Sequence, residues 1–231
     1  MFPLKRCGKY WLSHAAAPQN IDEILITEQA LKETGGFSCR VRTLTGRQLH
    51  AVCASKTPQG IAAVVRIPEG SYESGFPRPA GRRLLLLEGV QDPGNVGTLI
   101  RTAAAFEYGG VVLSGDCADP FSPKTVQATA GAVLSVWIRR TPAYRDCVKE
   151  LKKNGYAIIA ADLGGGPPTT DALSEKHLIM LGSEGAGLSA DLLSIANKRI
   201  RIPMNSNKVE SLNVAVSGAI IMYAASVIRQ F

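Results

Sequence analysis

The stretch LLLLEGVQDPGNVGTLIRTAAAF, Leu84 to Phe106, decides the fold class of this chain. Four consecutive leucines predict a strand that is covered on both faces, and the polar segment with Pro93 and Gly94 predicts a turn. The alanine-rich segment from Val96 to Phe106 predicts a helix with Asn95 as its N-cap. A buried strand, a loop and a helix in this order are typical of a parallel α/β sheet.

The same alternation continues to the C-terminus. Apolar runs predict further strands at Val111–Ser114, Leu134–Ile138, Ala157–Ala161, Leu178–Leu181 and Ile200–Ile202. Helices are predicted at Pro123–Ala130, Ala143–Asn154, Leu188–Ala196 and Leu212–Arg229. Ligands bind at the carboxyl ends of strands in open parallel sheets, so functional residues are expected in the loops that follow the strands.

The residues ahead of the leucine run have a different organisation. IDEILIT (Ile21–Thr27) and GIAAVVRIP (Gly60–Pro68) predict strands, with a short helix near Glu28–Glu33. The segment PEGSYESGFPRPAG, Pro68–Gly81, is rich in turn residues and predicts a linker. We therefore divide the chain into a small basic α/β module at residues 1–69, a linker at 70–81 and a larger α/β domain at 82–231.

Composition and charge narrow the class of protein. The 231 residues are 45% hydrophobic, which excludes a disordered or fibrous chain. The formal net charge is +7, with 12 Lys and Arg against six Asp and Glu in residues 1–83, and 14 against 13 in the remainder. This basic excess at the front favours an acidic partner, and nucleic acid is the commonest.

The cysteine, histidine and hydropathy patterns argue against a disulfide framework, a metal site, a membrane span and a secretory signal. The five cysteines are at least 14 residues apart, which predicts reduced thiols in a cytoplasmic protein and no disulfide framework. No His, Cys or carboxylate cluster has metal-ligand spacing, and His14, His50 and His177 are expected at the surface or beside strands. The longest uncharged apolar run, 212–228, is shorter than the roughly 20 residues that span a bilayer. The first twenty residues lack the apolar core of a secretory signal.

Three loops carry the candidate chemistry. The first, Glu88–Phe106, contributes Asn95 and Arg101, and the second, LIMLGSEGAGLS at Leu178–Ser189, contributes Glu184. The glycine spacing of the second loop, GxxGxG, matches neither the dinucleotide fingerprint nor the Walker A pattern. The third loop lies within Arg201–Ala225. Its apolar wall is formed by Ile202, Pro203 and Met204, and its hydrogen-bonding candidates are Asn205, Ser211 and Asn213.

Each candidate also has a purely structural alternative. Asn95 can be a helix cap and Arg101 a surface arginine. Glu184 can be a solvated loop acid, and a methionine such as Met204 more often fills a core. Ser211 and Asn213 can be helix caps.

The order of the motifs is more specific than any one of them. The segments N-x-G-x-x-x-R-T-A (Asn95–Ala103), G-S-E-G-x-G (Gly182–Gly187), I-P-M (Ile202–Met204) and S-L-N-V (Ser211–Val214) occur in this order. Together they resemble the three motifs of the SpoU or TrmH-type RNA 2'-O-ribose methyltransferases of the SPOUT superfamily. The resemblance spans residues 82–231.

This resemblance implies a fold, a cofactor and a set of site residues. The fold is a parallel sheet with helices on both faces and a C-terminal trefoil knot, an exception to the rule against threaded chains. The cofactor is S-adenosylmethionine, with no metal, and family members act as homodimers. The implied cofactor-binding residues are Leu181, Gly182, Gly187, Ile202, Met204, Ser211 and Leu212. The implied catalytic residues are Arg101, Asn95, Glu184, Ser211 and Asn213.

The front module resembles, more faintly, a ribosomal-protein-like RNA-binding domain, chiefly in TPQGIAAVVRIPE, Thr57–Glu69. Only about 20 residues precede IDEILIT, fewer than is usual in the family, so the module is expected to be trimmed or rearranged. The expected function is methylation of a ribose 2'-hydroxyl in structured RNA, with ribosomal RNA favoured over transfer RNA. The alternative is a catalytically silent RNA-binding or ribosome-assembly protein on the same fold.

Arg101 has two possible roles under this resemblance. Family analogy nominates it as the base, yet a guanidinium has a pKa above about 12 and stays protonated. We therefore expect Arg101 to position and activate the hydroxyl. The base-directed branch of the superfamily is disfavoured because the first motif marks the ribose-directed branch.

Overall fold

Two sheets organise the chain in the computed structural model, which describes residues 2–3, 18–34, 37–53, 58–169, 175–205 and 207–227. The first sheet has four strands and is built from residues ahead of the linker. The second has six strands and follows the linker.

The six-stranded sheet is parallel throughout, as the sequence predicts. Its strands are β5 (Arg83–Leu87), β6 (Gly110–Ser114), β7 (Trp137–Thr141), β8 (Ala157–Gly166), β9 (His177–Leu181) and β10 (Lys198–Ile200). Their order in the sheet is β10-β8-β9-β5-β6-β7. Connections between neighbouring parallel strands require crossovers, and helices supply most of them.

Helices cover both faces of this sheet, which explains why its central strands read as continuous apolar runs. The leucine run divides between the two faces, with Leu85 and Leu87 in one core cluster and Leu84 and Leu86 in the other, all fully buried. The first face packs against α3 (Pro93–Ala105), α4 (Pro123–Thr129) and α7 (Val214–Val227). The second packs against α5 (Tyr144–Lys153) and α6 (Ala190–Ile195).

Helix α7 approaches α3 and β9 very closely at Gly218. A Cβ atom at Gly218 would lie 2.3 Å from Leu99 Cδ2 and 2.7 Å from Leu181 Cδ1. Both leucines are buried, so no larger side chain fits here without repacking.

Two predicted strands are wrong in position. Residues Ala132–Leu134 form a 3-10 turn, and β7 begins only at Trp137. Val133 and Val136 are buried in the core without belonging to a strand, because an apolar run by itself does not distinguish a strand from a buried turn. The last strand, predicted at Ile200–Ile202, is Lys198–Ile200, so Ile202 lies in the following loop.

The predicted cap of α3 is also wrong. Asp92 is the N-cap, and its Oδ1 accepts the Asn95 backbone N–H at 2.8 Å. Pro93 takes the first helical position, where its missing N–H has no cost. The Asn95 side chain, three residues inside the helix, is therefore free to make contacts elsewhere.

The front sheet has the order β1-β4-β2-β3, with β2 parallel to β3 and antiparallel to β4. Its elements are β1 (Phe2–Pro3), β2 (Ile21–Ile26), α1 (Glu28–Thr34), β3 (Arg40–Thr43), α2 (Gly46–Val52) and β4 (Ile61–Val65). The strands at Ile21 and Ile61 and the helix at Glu28 match the predictions. Where the structure describes this region, its buried residues form two small clusters centred on Ile24 and Leu25.

The linker packs along β7, the edge strand of the large sheet. The Arg140 backbone N–H donates to the Ser71 carbonyl at 2.8 Å, and Arg139 Nε donates to the Gly75 carbonyl at 2.7 Å. The Phe76 ring stacks on Trp137 at 6.4 Å between centroids. The composition predicts a linker here. In the structure this segment also covers the edge of β7, which would otherwise be unpaired.

Cysteine and histidine environments differ along the chain. Cys39, Cys53, Cys117 and Cys147 are free thiols, while Cys7 and His14 lie outside the described residues. Burial raises the pKa of the Cys117 thiol. His50 is exposed, but His177 is fully buried at the start of β9, 3.0 Å from the Tyr108 hydroxyl. No helix in the described ranges is long and apolar enough to cross a membrane.

Candidate active site

A cavity of about 300 Å³ opens at the carboxyl ends of β8, β9 and β10. Its walls come from the loop after β9, the loop after β10 and residues 161–163 of β8. This is the strand-end position at which open parallel sheets bind ligands. Helix α7 also lines the cavity, through Val214, Ser217 and Ile221.

The residues predicted to bind a cofactor all line this cavity: Leu181, Gly182, Gly187, Ile202, Met204, Ser211 and Leu212. Met204 is half-buried at the cavity and not part of a core cluster. Ile202 and Met204 present apolar surface, and the glycine loop presents backbone. A flat heterocycle with polar edges suits such a site.

The glycine loop, which we define as residues 182–188, owes its shape to close contacts within itself. A Cβ at Gly182 would lie 2.0 Å from the Gly187 carbonyl carbon. Gly187 has φ +68°, a conformation that favours glycine, and it pairs with Ser183 in an isolated bridge. Gly182 is thus required by the loop's own backbone.

A polar triad joins the three motif loops at the rim of the cavity. Asn95 Nδ2 and Asn213 Nδ2 donate to the same carboxylate oxygen, Glu184 Oε1, at 2.9 and 2.8 Å. Asn213 Nδ2 is also 3.1 Å from Asn95 Oδ1. The capping alternative for Asn213 is confirmed, since its Oδ1 accepts the Ala215 N–H at 2.9 Å. One asparagine therefore both begins α7 and joins the triad.

Arg101 and Ser211 are not part of this triad. Arg101 lies exposed on α3, six residues beyond Asn95, and its side chain makes no hydrogen bond or ion pair with the residues that the structure describes. Six residues advance a helix by about 9 Å, so only an extended arginine side chain would approach the strand-end loop. Ser211 lines the cavity on its exposed side.

The sequence analysis missed a buried carboxylate that holds the far end of the glycine loop. Glu88 is 8% exposed and accepts the Tyr144 hydroxyl at 2.6 Å, the Ser189 backbone N–H at 2.7 Å and the Ser189 hydroxyl at 2.8 Å. Burial and the hydrogen bond to Glu88 raise the pKa of the Tyr144 phenol. Glu88 comes directly after the leucine strand, and that position was the signal that could have identified it.

Other lining residues were also missed, among them Asp162, Leu163 and Arg201. Asp162 and Leu163 follow the apolar part of β8, so the strand-end rule again applied to them. Within the described part of the chain, no group of three or more His, Cys, Asp or Glu residues could hold a metal ion.

Comparisons with known proteins agree with this geometry. Residues 82–223 match the model of the SpoU rRNA methylase family. The chain is 35% identical over 213 residues to the Bacillus subtilis 23S rRNA (guanosine(2553)-2'-O)-methyltransferase RlmP, which covers 90% of this chain and 81% of that protein.

Two solved structures are similar over most of the chain. A TrmH-family RNA methyltransferase described as putative, from Porphyromonas gingivalis, has a TM-score of 0.77 and 30% identity, with coverage of 94% of this chain and 87% of that one. An AdoMet-bound rRNA methyltransferase from Sinorhizobium meliloti has a TM-score of 0.74 and 29% identity, with coverage of 89% and 79%. With its three motif loops gathered at one strand-end cavity and its family match over residues 82–223, the chain belongs to the SpoU rRNA methylase family.

Proposed function

We propose that the chain is an S-adenosylmethionine-dependent methyltransferase that methylates a ribose 2'-hydroxyl in ribosomal RNA. The observation that carries this proposal is the triad of Asn95, Glu184 and Asn213 at the rim of the cavity. Folding alone does not require three polar side chains from three separate loops to meet at a cavity mouth. The names of the Bacillus subtilis and Sinorhizobium meliloti relatives support the substrate and the cofactor.

The cavity fits S-adenosylmethionine in size and chemistry. Its volume of about 300 Å³ is that of a small-molecule site, and Ile202, Met204 and Leu212 give it an apolar wall. The glycine loop offers backbone groups for the ribose and the polar edges of a base. When bound, the sulfonium supplies an activated methyl group.

The protein's own residues have the task of aligning the 2'-hydroxyl. Glu184 accepts hydrogen bonds from both asparagines and fixes the rim against α3 and α7. Arg101, exposed on the same helix as Asn95, binds the ribose hydroxyl or a neighbouring phosphate through its planar donors. Because a guanidinium does not deprotonate at neutral pH, Arg101 positions the hydroxyl, and a non-bridging oxygen of a substrate phosphate accepts its proton and passes it to water.

The proposal extends to the division of labour, the knot and the assembly. Residues 1–69 bind RNA, residues 70–81 connect, and residues 82–231 carry the chemistry.

The strand order β10-β8-β9 and the family resemblance support a C-terminal trefoil knot around the cavity. A homodimer is supported by Val216, Ile220 and Tyr223, which are 39–56% exposed along one side of α7. Sedimentation velocity of the purified chain tests the dimer.

Transfer of a labelled methyl group to ribosomal RNA tests the function. The purified chain is incubated with labelled S-adenosylmethionine and with ribosomal or transfer RNA from cells that lack this protein, and 2'-O-methyl nucleotides are mapped. We expect label at a ribose of ribosomal RNA, and a strong loss of label with Asn95→Ala, which keeps cofactor binding. Tight cofactor and RNA binding without any methylation would instead support the silent RNA-binding alternative.

A further inference from the structure

Two aromatic residues are among the large apolar side chains that are exposed in the described ranges, Tyr72 in the linker and Tyr223 on α7. Tyr223 lies on the side of α7 that the proposed homodimer covers. Tyr72 is 47% exposed and lies outside both that side of α7 and the cavity lining. An aromatic ring buries a large apolar area when a partner covers it, so the exposed ring of Tyr72 is a candidate contact surface.

The backbone next to Tyr72 is tied to the large sheet. The Ser71 hydroxyl donates to the Pro68 carbonyl at 2.6 Å, and Ser71 is almost fully buried. The Ser71 carbonyl accepts the Arg140 backbone N–H of the edge strand β7 at 2.8 Å. Tyr72 therefore follows directly on a residue that is fixed against the sheet, although the composition of the linker predicts none of these contacts.

The Tyr72 side chain is anchored as well. Its hydroxyl is 3.1 and 3.2 Å from the two carboxylate oxygens of Asp119, to which it donates, and its ring packs edge-to-face with Phe121 at 6.1 Å between centroids. Burial and the Asp119 carboxylate raise the pKa of the Tyr72 phenol, so the hydroxyl stays protonated as a donor. The ring is thus held in one orientation while much of it remains exposed. A side chain that is ordered before binding loses little conformational entropy when a ligand stacks on it.

Asp119 connects this ring to the loop of the first motif. The preceding residue, Ala118, donates its backbone N–H to the Val90 carbonyl at 2.9 Å, and Val90 is five residues ahead of Asn95. Both loops leave the carboxyl edge of the sheet, as the glycine loop does. Because β6 and β7 lie two and three positions from β9, the Tyr72 ring is about 10–15 Å from the glycine loop along this edge. Roughly three to five stacked nucleotides span that distance, at about 3.4 Å each.

We infer that the ring of Tyr72 stacks on an unpaired base of the RNA substrate, a few nucleotides from the ribose that is methylated. This inference rests on the proposed function. An RNA strand that reaches the cavity runs over the edge on which Tyr72 lies, and a stacking platform accepts any base because every base has a π-face. The charged groups that act on the Tyr72 hydroxyl, Asp119 and Arg140, have opposite signs. The contact therefore adds affinity through the ring and not through attraction of phosphate.

RNA-binding titrations of Tyr72→Leu and Tyr72→Phe test the inference. The probe is ribosomal RNA from cells that lack this protein, titrated at several salt concentrations. Leucine keeps an apolar contact with Phe121 and removes the aromatic face, so Tyr72→Leu should weaken RNA binding about tenfold, as the loss of one base–aromatic stack does. The slope of log K against log salt concentration should stay as in the wild type, because no phosphate contact is lost. Tyr72→Phe loses only the hydroxyl and should bind RNA within about twofold of the wild type.

A cofactor measurement and a control variant separate stacking from a structural effect. Both Tyr72 variants should bind S-adenosylmethionine like the wild type in calorimetry, since Tyr72 does not line the cavity. Single-turnover methyl transfer at saturating RNA should also be unchanged, because Tyr72 acts on binding and not on the chemical step. The control is Ile67→Ala, which truncates an apolar side chain of similar exposure, 44%, just ahead of the linker. It should bind RNA like the wild type.

Four results would overturn the inference. Unchanged RNA affinity in Tyr72→Leu would show that no base stacks there, and equal weakening in Tyr72→Phe would assign the effect to the hydroxyl. A shallower salt slope in Tyr72→Leu would assign it to lost phosphate contacts. Equal weakening in Ile67→Ala would assign it to a general loss of apolar surface. Failure of the wild type to bind ribosomal RNA is a different outcome, because it would overturn the proposed function itself.

Discussion

The front module and the large domain differ in how deeply they bury their strands. In the described residues of the module, β3 is exposed throughout, and the buried residues form two small clusters. In the domain, β5 is enclosed between two extensive cores, one on each face of the sheet. Methyl transfer needs side chains held in fixed geometry, so its residues are expected on the deeply packed scaffold. Binding a polyanion depends on charge and tolerates a thinner fold.

The charge difference between the two regions is smaller in the structure than in the sequence. Of the basic residues in 1–83, Arg78 and Arg82 form ion pairs with Glu150 and Glu175 of the large domain. Arg83 belongs to β5. Part of the positive excess assigned to the front therefore lies on the surface of the large domain, which makes the division of labour worth testing by substitution.

Replacement of Arg101 should have the largest effect. Lysine keeps the charge and loses the planar set of donors, so Arg101→Lys should slow methyl transfer by about two to four orders of magnitude. Single-turnover transfer at saturating enzyme and cofactor isolates this step. Arg101 lies outside the cavity lining, so cofactor affinity should not change. A rate near the wild type would show that Arg101 is a generic electrostatic contact or a structural residue.

A pair of glycine substitutions compares packing in the two regions. Gly218→Ala forces a methyl group against Leu99 and Leu181 and should lower the free energy of unfolding by about 1–3 kcal/mol. Gly46→Ala, at the start of α2, meets nothing within 4 Å and should be neutral or raise it by up to about 1 kcal/mol. Urea titration of both variants measures the difference. Equal destabilisation would contradict the contrast in packing.

Loss of two arginines from the exposed strand of the module should have the smallest effect. Arg40 and Arg42 already share Glu23, at 3.2 and 2.9 Å, so part of their charge is compensated. The double variant Arg40→Ser, Arg42→Ser should weaken RNA binding several-fold. It should also make the slope of log K against log salt concentration shallower by about 1 to 2. The control is Lys149→Ser with Lys153→Ser on α5, measured in the same salt titration. An equal loss in the control would place RNA capture on both regions.

Local sequence signals determined much of the architecture. The leucine run at 84–87 and the later apolar runs predicted a parallel sheet covered on both faces, because a strand buried on both sides cannot alternate in polarity. The motif order around Asn95, Gly182 and Ile202 predicted the family and the lining of the cavity. Motif residues are readable because a ligand-binding loop needs particular residue types at particular spacings.

Only the tertiary structure decided which side chains meet. Asn95 and Glu184 are 89 positions apart, and Glu88 and Ser189 are 101 apart, so no local pattern reports their hydrogen bonds. The position of Asp162 at the cavity depends on a change of register between β8 and β10, which is a property of strand pairing. Residue type and spacing determine the local conformation and the chemical groups that each loop offers. The contacts that join distant loops depend on how the strands are ordered in the sheet.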